Sequence, residues 1–418
     1  MSAPAPATHT RIRVESSKKQ LLEFAFDDTH FTVRNLSEDL LKLKVPLSHV
    51  LWVGISGPAI DVHLLVKSRG GFKLTTVSAS FQGDDPNTSS WVQSAMAAAY
   101  GGVKTQRRLL VIINPHGGPG KATSLFKGKV EPILNAARCV YKALYTESNG
   151  HAQKIASEIL PDEYDAVVSI SGDGTLHEIL NGFAQHKEPM RALGLPIAPI
   201  PAGSGNGTCL NLLGIQDGLD VAYATLNVIK GRLMSIDLLS ILQSGKRSLS
   251  FMSQCVGLMA DLDLGTEHLR FMGSNRFVYG FLRGVLTAKT YRFKISAKIG
   301  AADKVAMVEA LRKHENSAPH DEHPRAEVDS LSTGLPPLQY VDDYDGWTTF
   351  EGPVLFFYAG KAPYMSRELM QFPVSMPSDG MVDLVIQGTL PRAEMLKNLL
   401  NGAEKGAAYW LNQVSHFS

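Results

Sequence analysis

The stretch LLVIINPHGGPGKA, residues 109–122, decides the fold: five apolar residues run directly into a glycine-rich turn. A strand covered by helices on both faces of a parallel sheet needs such a continuous apolar run. The same arrangement recurs as AVVSISGDGTLHE at 166–178 and PIAPIPAGSGNGT at 196–208, with CVYKALYT at 139–146 as a further strand. Helical patterns near 122–137, 151–160 and 176–185 separate these strands. Alternation on this scale predicts an α/β fold, a doubly wound nucleotide-binding domain over 106–231.

Upstream the pattern changes. RIRVE, LLEFAF, HFTVRNL, HVLWVGI, DVHLLVK and FKLTTVSAS are short β-branched or aromatic segments divided by turn residues, followed by a helical stretch at 89–100. This predicts a small β module over 9–100, with GGVK at 101–104 as linker. Downstream, LMSIDLLSI, SLSFMSQCVG, YRFKISAKI, VLFFYAG and MVDLVIQG predict a mainly antiparallel β-rich domain over 232–418, with helices near 266–272, 277–288 and 392–404. The polar, proline-punctuated span 302–352 is expected to loop out as a flexible insertion. Its His314, His320 and His323 form at most a weak metal-binding signal.

Composition narrows the function classes. Forty-one Lys and Arg against 40 Asp and Glu leave a net charge of +1, so no overall field draws the chain to nucleic acid. Three dispersed cysteines form neither a disulfide framework nor a C-x-x-C pair, and a reducing, cytoplasmic setting follows. No secretory leader or apolar run of about 20 residues is present, which predicts a soluble or peripherally membrane-associated protein.

The chemistry concentrates in the three glycine turns. In a parallel sheet they all lie at the carboxyl ends of the strands, where backbone N–H groups approach phosphate oxygens unobstructed. Neither a Walker loop nor a dinucleotide fingerprint is present, because Lys121 is followed by Ala122 and no G-x-G-x-x-G occurs. Asp173, at the end of an apolar strand, is the candidate base for a hydroxyl acceptor. Thr175 and Glu178 read as a T-x-x-E capping box, which leaves Asp173 free of a capping role.

Those three loops, in this order, resemble the catalytic domain shared by sphingosine, diacylglycerol and ceramide kinases; NAD kinases, with a similar GDG turn, are a weaker match. The resemblance to sphingoid long-chain base kinases runs from about 107 to 404 and includes MSIDLLSI, GLMADLDLGTEHLRFMGSNRF and TAKTYRFKI. It implies ATP with Mg²⁺, Asp173 as general base, Asp263 on the amine of the lipid, and Arg270 and Arg276 on nucleotide phosphates. It further implies a nucleotide site drawn from Asn114, His116, Gly117, Gly118, Gly120, Lys121, Thr146, Gly172, Gly174, Thr175, Gly203, Ser204, Gly205 and Asn206. Metal ligands are not assigned.

The implied reaction is phosphorylation of the primary hydroxyl of a sphingoid base by a peripheral membrane enzyme. Ceramide or diacylglycerol kinase activity, or a noncatalytic lipid-binding relative, are the alternatives. Three features depart from the family: His116 stands where some members have Arg, Pro119 removes one N–H from the first loop, and a family segment reading D-G-E would lie beyond HFS, which predicts an incomplete nucleotide site and an open sheet edge. The N-terminal module resembles pleckstrin-homology-like domains, with Arg11, Arg13, Lys18 and Lys19 as cations that could face anionic lipid.

Overall fold

The computed structural model describes residues 10–81, 86–272, 275–287, 289–316, 334–338, 346–400, 403–411 and 414–418. Seven antiparallel strands open the chain: β1 (Arg11–Glu15), β2 (Leu21–Phe26), β3 (His30–Asn35), β4 (Leu40–Pro46), β5 (Val50–Ser56), β6 (Ala59–Ser68) and β7 (Gly71–Ser80), in the order β4-β3-β2-β1-β7-β6-β5. The sequence reading found six of them. It missed β4, LLKLKVP, because Leu40 and Leu41 are both exposed and the inward-outward alternation that marks a strand breaks there. Helix α1 (Pro86–Tyr100) closes the module, burying Trp91 against Phe24 and Phe26.

The parallel sheet follows as expected. Strands β8 (Arg108–Ile113), β9 (Val140–Tyr145), β10 (Ala166–Ser171) and β11 (Ile197–Pro201) lie in the order β11-β10-β8-β9, all parallel. Val111, Ile112 and Ile113 are fully buried, each contributing roughly 1.5–3 kcal/mol. Helices α2 (Ala122–Leu125) and α3 (Glu131–Ala136), joined through one π-turn, pack on one face with α8 (Val221–Lys230). Helices α4 (His151–Ser157), α5 (Asp173–Ala184) and α6 (Pro189–Leu193) cover the other, and α7 (Gly207–Asp217) leads from β11 toward α8. With all strands parallel, strand order reverses between β8 and β10, since β9 is added on one side of β8 and β10 and β11 on the other, which makes their carboxyl ends the switch point of the sheet.

The N-terminal module shares one hydrophobic core with this sheet. The Asp220 carboxylate caps α8 by accepting from Ala222 N and Tyr223 N at 2.9 Å, and its other oxygen accepts from Phe72 N of β7 at 3.0 Å. The Lys230 ammonium, beside the Tyr100 ring, donates to the carbonyls of Leu47, Val50 and Ala99.

Beyond α8 the hairpin β12 (Leu239–Gln243) and β13 (Lys246–Ser250) precedes an antiparallel sheet of β14 (Ser253–Gly257), β15 (Tyr291–Lys298), β16 (Trp347–Gly360), β19 (Asp383–Gly388) and β20 (Val414–Phe417). Its spine is β16, paired with β15 along one half and β14 along the other. The short pair β17 (Tyr364–Ser366) and β18 (Leu369–Met370) lies between β16 and β19 in the chain.

Several expectations are corrected here. SLSFMSQCVG is two strands in two sheets, broken at Phe251–Met252, and of LMSIDLLSI only the end from Leu239 is strand. Helix α9 (Leu258–Gly265) occupies the LMADLDLG segment that carries Asp261 and Asp263, and α10 (Asn275–Thr287) follows it. The span 302–352 is not simply a loop: α11 (Lys304–Asn316) fills its start, with Met307 buried against Val374 and Tyr409, and β16 begins at Trp347. His314 lies in the last turn of α11, whereas His320 and His323 lie outside the described residues. Among the described residues no cluster of three metal-binding side chains occurs, and no helix is long and apolar enough to cross a membrane. Helix α12 (Arg392–Leu400) buries Met395 beside Leu258 and Val285.

Candidate functional site

The three glycine loops converge backbone to backbone. Gly118 has φ +54°, and a Cβ there would stand 2.7 Å from Gly203 Cα; a Cβ on Gly203 would stand 2.4 Å from Gly172 Cα. Any side chain at these contacts would drive the loops apart. Asn114 ties the first loop to the second: its N–H donates to Ile170 O at 3.2 Å, its Nδ2 donates to Thr175 Oγ1 at 3.2 Å, and its Oδ1 accepts from His116 N at 3.0 Å. Asn206, in the left-handed region at φ +56°, braces the third loop by accepting from Gly203 N and donating to Gly203 O, both at 2.9 Å.

Asp173 sits at the first turn of α5 and reaches across to the start of α7. Its carboxylate accepts from Gly207 N at 2.9 Å, Thr208 N at 3.0 Å and Thr208 Oγ1 at 2.6 Å. The capping box expected from Thr175 and Glu178 does not form. Thr175 is buried and hydrogen-bonded to Ser171 Oγ at 2.7 Å, Glu178 Oε2 accepts from Ala152 N of α4 at 3.2 Å, and Asp173 itself is a cap, of another helix. The three donors fix the carboxylate's orientation while it remains part of a cavity wall.

That cavity measures about 930 Å³ and runs from Asn114, Gly117 and Gly118 past Gly172, Asp173 and Gly203 into the antiparallel domain. There its walls become apolar: Leu258, Met259 and Leu262 of α9, Phe281 of α10, and Leu355 and Phe356 of β16. Asp263 lines it as well. Its Oδ1 accepts from Arg276 Nη2 at 2.5 Å, with the arginine side chain 8% and the aspartate side chain 58% exposed. Arg276 Nη1 also donates to the Asp263 carbonyl at 3.2 Å, so this arginine is engaged with Asp263, not with the glycine loops. The side chain of Arg270 lies outside the described residues.

A second hollow of about 390 Å³ adjoins the first, sharing Asn114, Asn149, Thr175 and Glu178, and is lined also by His116 and the buried Thr146. Gly174, Ser204 and Gly205 line the larger cavity. Gly120, at φ +73°, turns the first loop, and Lys121 is exposed at the start of α2; neither lines either of these two cavities. Burial lowers the pKa of His177, on the cavity wall, below its ordinary value of 6.5, which favours the neutral imidazole. Burial also raises the Tyr358 hydroxyl and the Cys255 thiol, so the apolar end of the cavity carries neither phenolate nor thiolate. Sequence reasoning missed Thr208, which anchors Asp173, and Glu368, a further carboxylate on the wall.

Residues 108–241 match the diacylglycerol kinase catalytic domain. Over 376 residues the chain is 31% identical to sphingoid long chain base kinase 4 of Schizosaccharomyces pombe, covering 90% of this chain and 79% of that protein. The chain belongs to the sphingoid long-chain base kinase family. Sphingoid long chain base kinase 5 of Saccharomyces cerevisiae is 29% identical, with 78% of this lipid kinase and 55% of that protein covered. Sphingosine kinase 1 of Arabidopsis thaliana is 30% identical over 69% of this chain and 58% of its own. A solved diacylglycerol kinase from Bacillus anthracis str. Sterne is 19% identical, with a TM-score of 0.44 over 72% of this chain and 79% of that one.

Proposed function

We propose that this lipid kinase transfers the γ-phosphoryl group of ATP to the primary hydroxyl of a sphingoid base, with Asp173 accepting the hydroxyl proton. One observation carries the reading: a single cavity joins three touching glycine loops, an oriented carboxylate and an apolar chamber. Phosphoryl transfer is mainly positioning and charge stabilisation, and a carboxylate pinned by Gly207 and Thr208 is positioned without further ordering. The loops' N–H groups hold the polyphosphate, with Ser204 and Asn114 at its edge, while Leu258, Leu262, Phe281 and Phe356 take the hydrocarbon tail.

Asp263 faces the substrate amine. Its pairing with the buried Arg276 supports this by orienting the carboxylate on the cavity wall. Mg²⁺ fits this donor set as the nucleotide's companion: Glu178 is a carboxylate beside the phosphate loops that the proton transfer does not use, and Mg²⁺ characteristically takes one or two carboxylates together with substrate phosphates. When bound, it would offset polyphosphate charge.

The lipid arrives from a membrane surface. Leu264 at 71%, Phe271 at 73% and Leu286 at 74% exposure crown α9, α10 and the turn between them, next to the apolar chamber. The seven-stranded sheet closed by α1 supports a pleckstrin-homology-like reading of the first module.

Incubation of purified protein with labelled ATP and, separately, sphinganine, 4-hydroxysphinganine, ceramide and diacylglycerol tests the function. Label in both sphingoid bases is the expected result. Label confined to ceramide or diacylglycerol moves the enzyme to the alternative substrate class, and label in none of them makes it a noncatalytic relative.

A further inference from the structure

Glu368 stands in the turn between β17 and β18 and lines the large cavity, and its Oε2 is buried without a hydrogen-bond partner among the described residues. Its chain neighbour Arg367 does not answer it, donating instead to Ile215 O at 3.1 Å. A buried carboxylate oxygen with nothing opposite it is costly, and proteins keep such groups where a ligand supplies the missing donor.

The turn sits between the two aspartates already described. On one side it abuts the start of α7: a Cβ on Gly207 would meet Met365 O at 2.9 Å and Met252 Cε at 2.6 Å, and Gly207 N is one of the donors that hold Asp173. On the other, Met365 and Leu369 pack in the apolar cluster of Met259 and Leu262, and Leu262 immediately precedes Asp263. Glu368 therefore belongs to the stretch of wall that a headgroup spans when its hydroxyl reaches Asp173 and its tail enters the apolar chamber.

We infer that Glu368 is a substrate-specificity residue that pairs with the protonated amine of the sphingoid base. The inference rests on a sphingoid base being the acceptor. In the described structure Asp263 already has Arg276 on its Oδ1, whereas Glu368 offers an oxygen with no competing cation. An ammonium group carries three donors, enough to satisfy Glu368 and Asp263 together. An N-acylated lipid brings one neutral N–H, leaves the Glu368 charge uncompensated and is rejected.

The test compares Glu368→Gln with the unaltered enzyme on sphinganine, on 4-hydroxysphinganine and on an analogue whose amine is replaced by hydroxyl. Loss of one charge-assisted hydrogen bond raises KM for both amine substrates by about 10- to 100-fold, equally, while kcat, the KM for ATP and the KM for the hydroxyl analogue stay within about twofold. An unchanged KM, a loss confined to the 4-hydroxylated base, or an equal loss on the hydroxyl analogue would overturn the assignment. Fluorescence anisotropy with dye-labelled sphinganine supplies a second readout. Weaker binding to Glu368→Gln than to wild type supports the amine contact even if no phosphoryl transfer occurs, and equal binding rejects it; absence of transfer by the wild type bears only on the kinase reading.

Discussion

At the carboxyl ends of β8, β10 and β11 the cavity wall is backbone: Gly203 touches both Gly118 and Gly172, and side chains from Asn114, Thr175 and Asn206 hold each loop to itself or its neighbour. Across the same space, α9, α10 and β16 present side chains, and several apolar residues of those helices are exposed to solvent. On the proposed function, the difference follows from what each wall would recognise. A polyphosphate has fixed geometry and strong charge, so N–H donors must be preorganised. A hydrocarbon tail asks only for apolar volume, which adjustable side chains supply.

Breaking the rigid wall should have the largest effect. Gly203→Ala would place a methyl within 2.4 Å of Gly172 Cα. Separating the loops should lower activity at least about 10²-fold and cost about 1–3 kcal/mol of stability, measurable by phosphotransfer assay and denaturant unfolding. The adjustable wall should yield more gently: Phe281→Ala raises KM for the lipid by about tenfold, with the KM for ATP unchanged. Equal loss toward both substrates would show that the two walls are mechanically one.

The rigid half extends into the N-terminal module, and Lys230 tests that continuity. Burial pushes its ammonium down to about 7 from an ordinary 10.5. Between those values the unfolded chain holds a proton there that the folded protein has released, so stability from this site rises with pH through the window and is flat below it. Cys139, raised to about 11 by burial, acts in the opposite direction above its ordinary 9, but does so equally in wild type and variant. Unfolding of Lys230→Met from pH 7 to 9 should therefore lack the rise that wild type shows. The smallest effect belongs to the exposed face: Leu286→Ser should weaken binding to anionic vesicles by about threefold, in a sedimentation assay, with activity on detergent-dispersed lipid unchanged.

The parallel sheet was legible because the central strands β8 and β10, buried on both faces, are mostly apolar, and three of the four strands lead into glycine-rich turns; the edge strand β9 is half-exposed and lacks that signal. The antiparallel regions were less so: β4 exposes adjacent leucines, and α9 begins after Gly257 at φ +92° with no side-chain cap, leaving no start signal to read. At the site, Asp173 was found from its place at a strand end. Its partners were not, since Gly207 and Thr208 are more than 30 residues away and only the folded chain brings them together. Glu368 gives no local signal at all; its significance lies in an empty hydrogen-bonding position that exists only in three dimensions.

The most direct test of the account is phosphoryl transfer by Asp173→Asn. Asparagine still offers one oxygen to Thr208 but turns its amide NH₂ toward the Gly207 N–H, so α7 stays capped through Thr208 and unfolding shifts by about 1–3 kcal/mol. With folding and nucleotide binding retained, transfer from ATP to sphinganine should fall by about 10²- to 10⁴-fold. Transfer at the wild-type rate would contradict the assignment of Asp173 as the group that takes the hydroxyl proton.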